Sequence, residues 1–236
     1  MLTRLKRILK GVLPLSLIRR YNQYILKNQT KDFIHQPIEQ VFKNIYKENY
    51  WQGNQSVSGR GSDLSQVREV QAQLPLLLKK YDIKTMLDIP CGDFLWMKEI
   101  DLSGVQYIGA DIVEELVESN ITKYGDKETT FRVLDLTKDA LPEVDLIFCR
   151  DCLVHLSFDH INAAIKNIKS SKSKYLLTTS FVAHKENFDI PTGNWRPLNL
   201  LRSPYNFAKP LEVINEKCTE DNGEWADKSL LLWELA

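Results

Sequence analysis

The chain has 236 residues, 43% of them hydrophobic, with 31 Lys and Arg balanced by 31 Asp and Glu. That length and apolar content bury one full core, so one domain with an extension is expected rather than two. Seven of the basic residues and no acid fall within the first 28 positions, which leaves 24 basic against 31 acidic groups in the remainder. A net acidic folded part without an interleaved basic and aromatic stripe argues against a nucleic-acid partner.

In chain order, Leu2, Leu5, Ile8, Leu9, Val12 and Leu13 recur at helical spacing among Arg4, Lys6, Arg7 and Lys10. This is a short basic amphipathic helix. It suits either a peripheral contact with an anionic inner-membrane surface through residues 1–28 or a tail docked on its own domain. The apolar piece Gly11–Ile18 is interrupted by Pro14 and is far shorter than a bilayer span. It also runs into Arg19-Arg20 instead of a cleavage site, so a cytoplasmic, reducing location is expected. Residues 1–50 are read as a basic helical extension and 51–236 as the functional domain.

A helix is expected over 32–48, then a polar loop from Trp51 to Ser62. Asp63-x-x-Gln66 reads as the cap of a second helix reaching Tyr81, with Pro75 kinking it. After Lys84, strands near 84–88, 106–110, 129–134, 144–149 and 174–180 alternate with helices near 94–100, 113–123 and 159–169. Two further strands, 211–218 and 230–235, flank the turn Glu220-Asp221-Asn222-Gly223. The expected fold is α/β: a doubly wound, mostly parallel seven-stranded sheet ending in an antiparallel hairpin.

Ligands of such sheets sit beyond the carboxyl ends of the strands, where strand order reverses. Asp88-Ile89-Pro90-Cys91-Gly92-Asp93 is the first such end. It has one glycine and two acids where a dinucleotide fingerprint needs three glycines, and two carboxylates repel a pyrophosphate. The turn therefore suits a ligand with a cationic centre. Asp111, nineteen residues beyond Gly92, has the spacing of an acid that accepts from ribose hydroxyls. Asp135 closes the third strand, either as an acceptor for an adenine amino group or as a loop acid. The loop Ser58-Gly59-Arg60-Gly61-Ser62 can gather backbone N–H groups and Arg60 on a carboxylate, or can serve only as a connector. Cys149-x-x-Cys152 lacks the second pair that zinc needs and reads as two small buried residues, with no metal site.

Leu87–Asp93, Tyr107–Ile112 and Asp145–Arg150, in this order and spacing, resemble the first, second and fourth strand motifs of class I S-adenosylmethionine-dependent methyltransferases. The resemblance covers about residues 51–236 and implies a Rossmann-like fold and S-adenosylmethionine as cofactor. The cofactor is then expected against Asp88, Pro90, Cys91, Gly92, Asp93, Asp111, Ile112, Asp135, Leu136 and Arg150. The 58–62 loop, which is similar to one in uncharacterised bacterial members, would bring Arg60 to the methionyl carboxylate. Asp93 departs from the pattern, standing where the family has a second glycine. His155 is expected as a base and Asp151 as its partner, with Trp195, Arg196 and Tyr205 contacting a small-molecule or glycan-like acceptor methylated at O or N. Two rivals remain open: a non-catalytic module that senses the cofactor, and a nicotinamide-dependent oxidoreductase, which the missing glycine fingerprint disfavours.

Overall fold

The computed structural model describes Phe33 and residues 36–235. The basic amphipathic helix expected near the start, and with it the membrane contact, lies outside these residues. No helix among the described residues is long and apolar enough to cross a membrane.

The apolar runs after Lys84 form β1 (Thr85–Asp88), β2 (Gln106–Asp111), β3 (Thr129–Val133), β4 (Leu146–Cys149) and β5 (Tyr175–Phe181). The hairpin supplies β6 (Glu212–Asn215) and β7 (Lys228–Glu234). Together they make one sheet in the order β3-β2-β1-β4-β5-β7-β6. The first five strands are parallel, and β7 runs antiparallel to both β5 and β6. Strand order reverses between β1 and β4, which places the expected ligand-binding crevice at Asp88 and Cys149.

Alternate residues of each strand feed two cores, because side chains of a strand point to opposite faces. Met86, Phe148, Leu177 and Leu232 join one core, while Leu87, Ile147, Leu176 and Leu231 join the other. The first face is covered by α2 (Arg68–Lys80) through Val70, Leu74, Leu77 and Leu78. The second is covered by α4 (Phe158–Ser170) through Ile161, Ala164 and Ile168, and by Leu198 and Leu200 of the long connection after β5. Between them in sequence, α3 (Glu114–Tyr124) links β2 to β3. The amino-terminal α1 (Ile38–Lys47) buries Val41 and Ile45. It packs so closely on the later loop that a Cβ on Gly193 would lie 2.6 Å from Val41 Cγ1.

Three local expectations are corrected. No helix forms over 94–100: Phe94 has φ +57°, and only Met97–Glu99 makes a helical turn. Tertiary packing decides this, since the Phe94 ring sits among Tyr107, Tyr124 and Phe131. Asp63 does not cap α2, which starts after Val67 without a side-chain cap. Its carboxylate instead accepts the backbone N–H groups of Asn54, Gln55 and Ser56. The expected strand 211–218 is shorter, Glu212–Asn215 with flanking backbone bonds from Leu211 and Glu216 to the next strand, since Lys217 turns the chain with φ +51°.

Candidate functional site

Past β1 the chain threads the reversal point. The Ile89 N–H donates to Phe148 O on one side, and the Cys91 N–H donates to Ala110 O on the other. Gly92 then adopts φ +56°, a conformation that suits glycine. Its N–H donates to Asp111 Oδ2 at 3.1 Å, and Asn120 Nδ2 donates to its carbonyl at 2.7 Å. A Cβ there would lie 2.1 Å from Ser58 Oγ. The 58–62 loop and the first strand end, 34 positions apart in sequence at Ser58 and Gly92, therefore touch.

Around this contact opens a cleft of about 1050 Å³, its mouth included, lined by Asp88, Pro90, Cys91, Gly92, Asp111, Ile112, Asp135, Leu136, Arg150, Asp151 and His155. Ile38, Phe42, Ile45 and Tyr46 of α1 wall it from above, so α1 belongs to the site. Three acids stand at three strand ends. Asp88 is fully buried, accepts from Tyr107 Oη at 2.6 Å, and is pushed up to about 8 by burial. Burial raises Asp111 to about 6, against the pull of the Val113 and Gly92 N–H groups. Asp135 Oδ1 accepts from the N–H and Oγ1 of Thr137, while its buried Oδ2 accepts no hydrogen bond among the described residues and has Lys138 Nζ at 3.4 Å as an ion-pair partner.

A second chamber of about 710 Å³ adjoins the cleft and shares Trp51, Ser58, Asp151 and His155 with it. Phe181, Trp195 and Trp225 form one wall, with Arg60, Glu220, Asp221 and Lys228 around them. His155 stacks on Trp51 with centroids 4.3 Å apart, and its Nδ1 lies 2.8 Å from Asn194 O. A carbonyl can only accept, so Nδ1 carries the proton and Nε2 keeps its lone pair. Burial lowers the imidazole to about 4, so the ring is neutral at ordinary pH. Asp151 faces Lys228 Nζ at 2.5 Å. Burial opposes its charge, but Lys228 and Arg150 more than offset this and hold it near 2.

Four sequence expectations are corrected by this geometry. Arg196 does not grip an acceptor: its guanidinium is buried, donating to the carbonyls of Phe188, Leu153, Val154 and Leu156. Tyr205 lines neither space and packs edge-on against Phe158. Asp93 lies outside the cleft lining and accepts from Ser56 Oγ and the Val57 N–H, each at 3.0 Å. Arg60 borders the second chamber and is held by Gln52 Oε1 at 2.9 Å. Arg150 does line the cleft, but its guanidinium is committed to Glu216 Oε2 at 2.7 Å and Gly61 O at 2.8 Å. Sequence reasoning missed Trp51, Lys228 and Glu216. Lys228, a lysine opening the apolar run Leu230–Trp233, carried the one readable signal.

Residues 87–171 match the family described as a methyltransferase domain. Among solved structures, human N-acetylserotonin methyltransferase in complex with S-adenosylmethionine is 18% identical with a TM-score of 0.56, over 84% of this chain and 59% of that one. Magnesium protoporphyrin IX methyltransferase from Synechocystis, with bound S-adenosylmethionine, is 13% identical with a TM-score of 0.53, over 85% and 98%. Phosphoethanolamine N-methyltransferase 1 from Haemonchus contortus is 11% identical with a TM-score of 0.59, over 84% and 48%. This chain thus spans only about half to three-fifths of the length of the human and nematode proteins. These likenesses are of fold. No curated protein sequence matches the chain. The chain carries a methyltransferase domain on the fold of the class I S-adenosylmethionine-dependent methyltransferases.

Proposed function

We propose that the cleft holds S-adenosylmethionine and that the second chamber presents an O or N acceptor from a small molecule or a glycan. The observation that carries this reading is the junction: a cleft with three acids at its strand ends meets an aromatic chamber at Asp151 and His155. The residues suit the cofactor. Asp111 keeps free lone pairs for a ribose diol beside its two N–H bonds. Asp135 Oδ2, which has Lys138 Nζ 3.4 Å away but accepts no hydrogen bond, can take a donor such as an adenine amino group. Asp88 offers a carboxylate to a cation, and Pro90, Cys91, Ile112 and Leu136 supply apolar walls. When bound, the cofactor supplies an electrophilic methyl group on a sulfonium. The chain's own contribution is to orient the acceptor, exclude water and take a proton at His155 Nε2. Asp151, fixed by Lys228, gives the imidazolium a neighbouring negative charge.

Calorimetry with S-adenosylmethionine and its demethylated product tests the reading. Both should bind, and Asp111→Ala should weaken both at least tenfold, as the loss of a charge-assisted ribose contact predicts. An intact protein that binds neither would refute it.

A further inference from the structure

The second chamber has a chemistry of its own, and the inference drawn from it rests on the reading above. Apart from Trp51, which is stacked on His155, three rings of its wall meet edge to face: Trp195 and Trp225 are 4.8 Å apart at 67°, and Phe181 stands at 84° to Trp195 and 90° to Trp225. In this arrangement each ring covers part of another. A cage for an ammonium ion needs several faces turned on one point, and this cluster does not offer them. Phe181 is 1% exposed and Trp225 is half-buried, whereas Trp195 is 36% exposed, so Trp195 offers the most open indole of the wall as a platform.

The groups around that platform are polar and of mixed sign. Lys228 is spent on Asp151, and Trp225 Nε1 donates to Asp221 Oδ2 at 2.9 Å. Arg60 stands on the same rim as Glu220 and Asp221. A ligand with a fixed charge would disturb these pairs. A neutral ligand with many hydroxyls finds donors and acceptors on all sides. Its weakly positive C–H face meets the negative face of the indole.

We propose that the chamber binds a pyranose ring on Trp195 and that one of its hydroxyl oxygens is the methyl acceptor. The hydroxyl oxygen forms the new bond to the methyl carbon. The carbon–sulfur bond breaks, leaving its electron pair on sulfur. The hydroxyl proton passes to His155 Nε2 and then to water. A hydroxyl must shed its proton as the bond forms, whereas a neutral amine can attack first. The neutral imidazole at the junction of the two spaces therefore matches an oxygen acceptor.

The test uses the full chain with S-adenosylhomocysteine bound. Saturation-transfer NMR is run with the methyl glucoside, galactoside and mannoside, with choline and phenol as contrasting probes. A pyranoside should show saturation strongest on the C–H protons of one ring face. Trp195→Ala should remove that signal, and Trp195→Phe should leave part of it, while S-adenosylhomocysteine affinity stays within twofold in both. With radiolabelled S-adenosylmethionine, the same pyranoside should yield a methyl ether, at a rate at least 100-fold lower in His155→Ala. Binding of choline or phenol without any pyranoside, or pyranoside binding that survives Trp195→Ala, overturns the proposal. Failure to bind S-adenosylhomocysteine would instead overturn the cofactor reading, since the pyranoside signal reports on the chamber by itself.

Discussion

Affinity for S-adenosylmethionine should rise steeply with pH. Asp88 is buried at the floor of the cleft and pushed up to about 8, mostly by desolvation. It therefore carries its proton at pH 6 in the cofactor-free protein. A cationic ligand gains from Asp88 only when the carboxylate is ionised, so binding there expels the proton. At pH 6, two units below that value, about 1% of the protein has Asp88 charged, and the dissociation constant should be about 100-fold weaker than on the plateau above pH 8. That is about 2.7 kcal/mol. Stability runs the other way. The folded chain holds a proton that the unfolded chain loses near 4, so the cofactor-free protein becomes less stable as pH rises from about 4 to 8. By pH 7 this costs about 4 kcal/mol. Asp88→Asn keeps an acceptor for Tyr107 and removes the charge. It should raise the melting temperature at pH 7 by roughly 10 °C, flatten the pH dependence of cofactor binding and weaken binding at pH 8.5. Calorimetry from pH 6 to 8.5, in two buffers of different ionisation enthalpy, reads both affinity and released protons. A dissociation constant constant within twofold over this range, with no proton release, would refute the reasoning.

Two further substitutions probe how the site is built. Gly92→Ala brings a Cβ to 2.1 Å from Ser58 Oγ at a backbone φ of +56°. Cofactor affinity should drop more than tenfold; adding Ser58→Gly should recover part of it by calorimetry, leaving a backbone cost of about 1 kcal/mol. Arg150→Met leaves the buried Glu216 with Lys228 Nζ, 3.4 Å away, as its remaining cation, so the loss in urea unfolding should stay below the about 3–5 kcal/mol of a fully unpaired buried charge, and Arg150→Met with Glu216→Leu should recover part of it.

The middle of the sheet was legible because β1, β4, β5 and β7 are buried on both faces and so read as apolar runs, whereas the edge strands β3 and β6 are half-exposed; β1, β2 and β3 each lead to an acid where the chain reaches the crevice. Asp88, Asp111 and Asp135 could be found for the same reason. What stayed hidden depends on pairings that no local pattern encodes. Lys228 and Asp151 meet across 77 positions, and Trp51 reaches His155 from another segment. Arg196 misled because arginine is usually exposed. The turn at Leu153–His155 and its neighbour Leu156 point three carbonyls inward, and a buried carbonyl demands a donor, which the guanidinium supplies. The helix expected over 94–100 failed to form because burying the Phe94 ring outweighed local helical preference.

Asp93, where the family pattern breaks, gains its meaning from the loop it holds. Its carboxylate takes the Val57 N–H and the Ser56 hydroxyl, while Asp63 takes the N–H groups of Asn54, Gln55 and Ser56. Four consecutive amides, 54–57, are thus satisfied by two carboxylates of this chain, and the Ser58 N–H goes to Ser56 Oγ. The loop is a braced wall laid against Gly92, and these amides do not form an open nest awaiting an anion. On the proposed reading these four amides are already spent and give the cofactor no donor. The proton held at Asp88 remains the group whose release the cofactor must drive.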